Sequence, residues 1–510
     1  MIKKITNLFK ILFYSLFFFL PLLQYLNKNN IQEFIVSDIL YFLISLSVLY
    51  FSLYFIYIFI FKRFNYHFLF LILFFNLLFY FISLRDFFLI NLGISNYKSI
   101  FLTISIYLLF LFLPLFKRKS FISKIFFTRF STLYFLMSLG YLLINQNSLI
   151  YNYEYIFKEN NENTIINFKN LNLFKEKNKQ VSNIYFVIVD AMLSFKIAEE
   201  LRILTSNEIN NELEFYDKNN FQYINNSFSN YDTTQLTLAS ILKLDYFTKF
   251  PNEFTYKKSN VFPVILYHSS DHPLLNILKY KKFKFYHHGN YWGPCRQTLM
   301  VNCYFSQPVQ IMNRVLLSFY ANTPFYFFSK ILKKIFKDLD DGDERQLVNY
   351  QNNFSQKEIL KENKFIFIHH YAPHTPYNRK SNCEKKNYSD DNFNGYINSY
   401  KCTLKEIRSF IKFINNKDPN ALIIIQADHG YKDHIKKNIK HSSSIYNLIK
   451  YPKNCQNLKT PRSNINSIIF VVNCAFGTNL KFKEFKFYED GYDFPNAKFI
   501  LKKHSIENLK

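Results

Sequence analysis

Residues 421–430 read ALIIIQADHG. A short apolar run with no polar face passes through Gln426 and Ala427 into Asp428, His429 and Gly430. A run of this kind fits a strand buried on both faces, as in parallel sheets covered by helices on each side. Its end delivers a carboxylate and an imidazole side by side. In open α/β sheets ligands bind beyond the carboxyl ends of the strands. The polar residues that follow other buried strands are therefore the candidates for the same site.

Four further runs have the same character: 184–189 (IYFVIV), 283–287 (FKFYH), 364–368 (KFIFI) and 468–472 (IIFVV). Helical patterns lie between them, for instance over 396–414. This alternation predicts an α/β domain built on a parallel sheet. NIYFVIVDAM ends in Asp190, and FIFIHHYAPHTPY carries His369, His370 and His374. Taken singly, an Asp after a strand is often a helix cap and a lone His is often structural. Together they set two carboxylates and several imidazoles along one sheet edge, where a divalent cation would relieve their repulsion. Mixed Asp and His ligation fits zinc or manganese better than calcium, which prefers all-oxygen shells.

A hydroxyl nucleophile has a candidate in 229–242, SNYDTTQLTLASIL, where a polar turn opens an apolar helical segment. A threonine there faces the positive end of the helix dipole and its unpaired N–H groups. Metal coordination would lower its alcohol pKa. Plain capping by Thr233 or Thr234 is the simpler use of the same residues.

The remaining sequence divides the chain. Its 510 residues exceed one ordinary domain, and they include 62 Phe and 39 Tyr. Abundant Lys and Asn beside scarce Gly resemble the bias of an AT-rich genome, which discounts part of the +26 net charge. A basic surface still suits an anionic membrane or phosphate-bearing substrates. No basic helix or finger pattern is present, so nucleic acid is not an expected partner. Five apolar stretches, about 11–26, 39–61, 68–84, 99–116 and 130–150, have the length needed to cross a bilayer. Lys3, Lys4 and Lys10, then Lys62 and Arg63, then Lys117, Arg118, Lys119, Lys124 and Arg129 occupy alternate loops. The positive-inside rule puts those loops in the cytoplasm, and everything after residue 151 outside.

The expected organisation is thus a transmembrane domain over 1–151 and a linker with an interfacial helix, or a plain disordered linker, over 152–182. A catalytic domain over 183–480 and a C-terminal tail over 481–510 follow. All six cysteines fall in the external part, which suggests disulfides in an oxidising compartment. Their spacing favours the local pairs Cys295–Cys303, Cys383–Cys402 and Cys455–Cys474, and the absence of C-x-x-C argues against a zinc–thiolate site.

In order, NIYFVIVDAM, the Thr-rich turn, HHYAPHTPY and IIIQADHG resemble the alkaline phosphatase superfamily. The resemblance is strongest to its sulfatase-like membrane branch, which holds phosphoethanolamine transferases and lipoteichoic acid synthases. It implies five transmembrane helices followed by an external domain with a sulfatase-like sheet sandwiched by helices. It also implies a bacterial inner-membrane location, with the catalytic domain on the periplasmic side. Asp190 then resembles the first acidic metal ligand, and Asp428 with His429 the late ligand pair. Thr234 resembles the nucleophile and a further ligand, because Thr234-Gln-Leu-Thr237 matches the family spacing. His369 and His374 resemble paired substrate or second-metal histidines, His374 also serving as acid or base. His441, twelve residues after His429, resembles a further substrate-binding histidine, with His434 competing for that place.

One departure matters: residues 233–240, TTQLTLAS, lack the C-x-P-x-R setting that sulfatases convert to formylglycine. The resemblance therefore implies a phosphotransferase that moves a phospholipid head group, of phosphoethanolamine or phosphoglycerol type, through a threonine intermediate. The acceptor would be a cell-envelope glycan or lipid. The alternatives are a phosphodiesterase or sulfatase-like hydrolase using the same intermediate, and a non-catalytic envelope-binding membrane protein.

Overall fold

The computed structural model describes residues 183–248, 272–289, 301–305, 345–353, 363–386, 392–432, 438–493 and 498–504, with short pieces between 43 and 106. The chain divides into two units, Met1–Asn152 with Pro308–Asp341 and Tyr153–Gln307 with Gly342–Lys510. In the first unit residues 98–106 are helical. Ile44, Val48, Phe51, Phe55 and Phe59 are also helical, fall at intervals of three or four, and are 56–77% exposed. Among the described residues no helix is long and apolar enough to cross a membrane. Most of the five expected spans, and the whole 152–182 linker, lie outside the described residues.

The second unit runs β1 (Asn183–Val189), α1 (Phe195–Glu200), α2 (Ser206–Lys218), β2 (Gln222–Tyr223), α3 (Thr234–Lys243) and α4 (Pro273–Tyr280). It continues with β3 (Lys284–Gly289), β4 (Val301–Phe305), α5 (Gln346–Asn353), β5 (Lys364–His370), α6 (Phe393–Lys417) and β6 (Leu422–Gln426). The last elements are α7 (Ile439–Ser443), β7 (Asn447–Lys450), α8 (Asn464–Phe476), β8 (Phe487–Asp493) and β9 (Lys498–His504).

Seven strands form one sheet in the order β2-β7-β6-β1-β5-β3-β4. The pairs β6–β1, β1–β5, β5–β3 and β3–β4 are parallel. The pairs β6–β7 and β7–β2 are antiparallel, so the sheet is mixed rather than wholly parallel. The two added strands are short, and neither leaves an apolar run of strand length in the sequence. Alternation along β1 assigns its side chains to two layers. Ile184, Phe186 and Ile188 pack with α3, α4 and α8. Tyr185, Val187 and Val189 pack with α1, α2 and α6. Every residue of β1 and β6 is buried, which is why both runs lack a polar face.

The run 468–472, expected as a strand, lies instead inside α8, where twelve of thirteen residues are buried. A helix buried all round shows no 3.6-residue periodicity, so an apolar run inside it reads like a central strand. Residues 481–510, expected as a tail, hold β8 and β9, which pair antiparallel as a separate two-stranded sheet. Disulfides join Cys383 to Cys402 and Cys455 to Cys474. The expected Cys295–Cys303 pair lies outside what is described, since Cys295 is not described and the Cys303 side chain is not either.

Candidate metal centre

Strand register brings the carboxylates together. Ile188 of β1 lies opposite Gln426 of β6 and opposite His369 of β5. Two residues beyond Ile188 and Gln426, the chain reaches Asp190 and Asp428 at the same level of the sheet. Asp190 is 1% and Asp428 0% exposed. Asp428 Oδ1 accepts the Ala191 N–H at 3.0 Å, and Asp190 Oδ2 accepts from His369 Nε2 at 3.2 Å. Asp190 Oδ1 and Asp428 Oδ2 have no hydrogen-bond partner.

His429 closes the group. Its Nδ1 donates to the Gly430 carbonyl at 2.7 Å, which leaves Nε2 as the acceptor nitrogen. That lone pair lies 3.6 Å from Asp190 Oδ1 and 3.5 Å from Asp428 Oδ2. Thr234 Oγ1, on the first residue of α3, lies 3.2 Å from the same nitrogen. Thr233 makes no side-chain cap to α3, so capping does not account for the hydroxyl pair.

Buried oxygen and nitrogen lone pairs converging without donors are costly unless a cation sits among them. The donor atoms of Asp190, Asp428 and His429 lie within 4.8 Å of one another. Two carboxylate oxygens, one imidazole nitrogen and an adjacent hydroxyl suit a divalent transition ion. Burial pushes the Asp190 carboxyl up, but His374 and the hydrogen bond from His369 outweigh it and hold it at about 2. Asp190 is therefore ionised and ready to bind a cation at neutral pH.

Gly430 has a steric reason. A Cβ there would meet the His441 carbonyl at 2.0 Å and the Ser444 carbonyl at 2.9 Å. The Gly430 N–H also donates to the Ser442 carbonyl at 2.7 Å. The segment around α7 thus presses against the backbone that aims His429.

Of the residues singled out from the sequence, Asp190, Thr234, His369, Asp428 and His429 are brought into one bonded group. The ring of His374 lies 6.5 Å from that of His429, and its Nδ1 donates to the Thr375 carbonyl at 2.6 Å. His441 is on α7, where its Nε2 pairs with Asn438 Nδ2 at 3.2 Å. His434 is outside the described residues. His370 points to the opposite face of β5, where its Nε2 lies 3.0 Å from Glu406 of α6.

A further group, without a signal in the local sequence, lies beside the Thr turn. The Tyr488 N–H donates to the Asn230 carbonyl at 2.9 Å, and the Asp232 N–H to the Tyr488 carbonyl at 3.2 Å. The Asp490 N–H donates to Asp232 Oδ1 at 2.9 Å, and Lys432 lies 3.4 Å from Asp232 Oδ2. Strand β8 therefore laces the segment that leads into Thr234. No local pattern announces this, because the partners are about 250 residues apart in the chain.

Burial and the Asp232 carboxylate push the Asp490 carboxyl up to about 8. An unfolded aspartate ionises near about pH 4. The folded chain thus keeps a proton that the unfolded chain releases between about pH 4 and about pH 8. Stability is expected to fall as pH rises through that window. Asp490→Asn should flatten the slope, read from denaturant midpoints near the two ends of the window; an unchanged slope would show that Asp490 does not hold the proton.

Residues 183–452 match the family model described as Sulfatase, which is more than half of the 510 residues. The chain belongs to the sulfatase family. The family is metal-dependent, in keeping with the cluster of Asp190, Asp428 and His429. No curated protein matches the chain significantly.

Among solved structures it is similar to the C-terminal periplasmic domain of EptC from Escherichia coli in complex with zinc. The identity is 14%, the match covers 64% of this chain and 94% of that one, and the TM-score is 0.41. It is also similar to the integral membrane lipooligosaccharide phosphoethanolamine transferase A (EptA) from Neisseria meningitidis, at 12% identity over 70% of each chain with a TM-score of 0.38. A third is the lipoteichoic acid synthase LtaP from Listeria monocytogenes, at 12% identity over 62% of this chain and 76% of that one, with a TM-score of 0.36.

Proposed function

We propose that the protein is a membrane-anchored, metal-dependent phosphotransferase of the bacterial envelope. It takes a phospholipid head group, of phosphoethanolamine or phosphoglycerol type, onto Thr234 and passes it to a hydroxyl of a glycan or lipid. One observation carries this reading: a threonine hydroxyl opens an uncapped helix and touches His429 Nε2 within a group of donorless carboxylate oxygens. The segment lacks the Cys or Ser with following Pro and Arg that formylglycine chemistry needs, so Thr234 is the nucleophile available.

A divalent ion held by Asp190, Asp428, His429 and Thr234 would lower the pKa of the Thr234 hydroxyl and draw charge from the phosphoryl oxygens. In the first half-reaction Thr234 Oγ1, its proton already released to solvent, bonds to phosphorus as the alkoxide, the bond to the diacylglycerol oxygen breaks, and a protonated His374 gives its proton to that oxygen. In the second, His374 takes the proton of the acceptor hydroxyl as its oxygen bonds to phosphorus, and the Thr234 oxygen leaves. His369 holds Asp190 in place through its Nε2–H. The N-terminal N–H groups of α3 would receive phosphoryl oxygens.

Membrane anchoring is supported by the five apolar stretches with alternating basic loops. It is supported also by the exposed apolar helical residues between Ile44 and Phe59. A reporter active only outside the cytoplasm should work when fused after residue 160 and stay silent after residue 65; the reverse would remove the envelope location. The reaction itself is tested by intact-protein mass after incubation with membrane phospholipid. A head-group phosphate adduct on Thr234 is expected, stable until an acceptor is added. Loss of the adduct to water alone at an equal rate would favour the hydrolase.

A further inference from the structure

A cavity of about 540 Å³ opens among the start of α1, the loop that precedes α3 and the N-terminus of α8, with Lys196, Phe228, Arg462, Ser463, Asn466 and Phe485 in its wall. That volume is in the range of small-ligand sites. Lys196 and Arg462 are exposed, and neither has an ion-pair partner among the described residues. Among the described residues no acidic residue lines the cavity. Ser463, at the cap position of α8, is 2% exposed; its hydroxyl makes no cap and has no partner. The Asn466 amide is already used on both sides by the Lys483 backbone, at 3.0 and 2.8 Å, so it forms a fixed wall. The rings of Phe228 and Phe485 are tilted at 50° to each other with centroids 5.7 Å apart.

Two cations without acids, beside a helix N-terminus, suit a dianion such as phosphate. An aromatic pair flanked by polar groups suits the apolar face of a sugar ring rather than an acyl chain, which would need a longer apolar channel. The helix that walls the cavity is also bonded to the segment that carries the metal centre. Asn464, next to Ser463, donates to the carbonyl of Ala427 at 2.8 Å, and Ala427 precedes Asp428. Phe228 stands six residues before Thr234. We infer that this pocket seats the acceptor of the transfer, a saccharide that carries a phosphate, with Lys196 and Arg462 on the phosphate and the Phe228–Phe485 pair against the ring. The inference rests on the transferase reading and names its acceptor class.

The test is calorimetric titration of the full chain in detergent with glucose 1-phosphate, inorganic phosphate and glucose. Each titration is repeated on Asp428→Ala protein, so that phosphate held at the metal centre is not counted. Glucose 1-phosphate should bind more tightly than either part alone by about tenfold or more. The double variant Lys196→Gln, Arg462→Gln should weaken it by about tenfold or more, with melting temperature, bound metal and Thr234 adduct formation unchanged. Phe485→Ala should weaken glucose 1-phosphate but leave inorganic phosphate as it was. Unchanged affinity in the double variant, or equal affinity for inorganic phosphate and glucose 1-phosphate, overturns the pocket assignment. Absence of any Thr234 adduct in the unaltered protein overturns the transferase reading instead, and the titrations stand apart from that result.

Discussion

Asp428→Ala is expected to empty the metal centre and abolish turnover while the domain stays folded. The Asp428 Oδ1 accepts one backbone N–H, from Ala191, and its Oδ2 has no hydrogen-bond partner. Losing the Ala191 bond costs about 1 kcal/mol. Removing a buried charge that faces Asp190 and the His429 lone pair offsets that in the metal-free protein. Removing one of three close protein ligands from a small ion weakens its binding by orders of magnitude, and activity should fall by about 10³-fold or more. Asp428→Asn is the sharper variant, since its amide oxygen can still accept from Ala191. Bound metal is measured by elemental analysis and stability by thermal melting. Full metal occupancy in Asp428→Ala would sink the centre as drawn. If Asp428 were only a local cap, stability alone would move, by about 1 kcal/mol.

Thr234→Ala should separate metal binding from chemistry. Asp190, Asp428 and His429 remain within 4.8 Å of one another without it, so most of the metal should stay. Thr233 cannot stand in: it precedes the helix, and its hydroxyl is not on the His429 nitrogen. No head-group adduct should form, and transfer should fall by about 10³-fold or more, as when a nucleophile is removed from a covalent mechanism. Thr234→Ser keeps an oxygen at the same place and should retain the adduct at a reduced rate. An adduct of normal yield in Thr234→Ala would assign the nucleophile elsewhere.

The two strands that hold the carboxylates were legible from local pattern. NIYFVIV and LIIIQ are buried on both faces, and a strand in that setting must be apolar at every position. Asp190 and Asp428 were legible for the same reason, because a charged residue directly after such a run has to leave the core at a sheet edge. The match that shows sulfatase membership, over residues 183–452, spans both strands.

Other features depended on the folded chain. The run 468–472 could not be told from a strand, since α8 is enclosed on nearly every side and shows no polar face. Strands β2 and β7 turned the sheet mixed through pairings a few residues long. His369 and His370 are adjacent and alike in sequence, yet the pleat sends one to Asp190 and the other to Glu406. Asp490 reaches Asp232 only because β8 folds back onto the turn that leads to Thr234. Gly430 is required by a carbonyl from a later segment. Local sequence sets which residues must be buried and where a strand ends, because those depend on side-chain period and polarity. Which distant groups then meet depends on closure of the chain around the sheet, and no window of neighbouring residues contains that information.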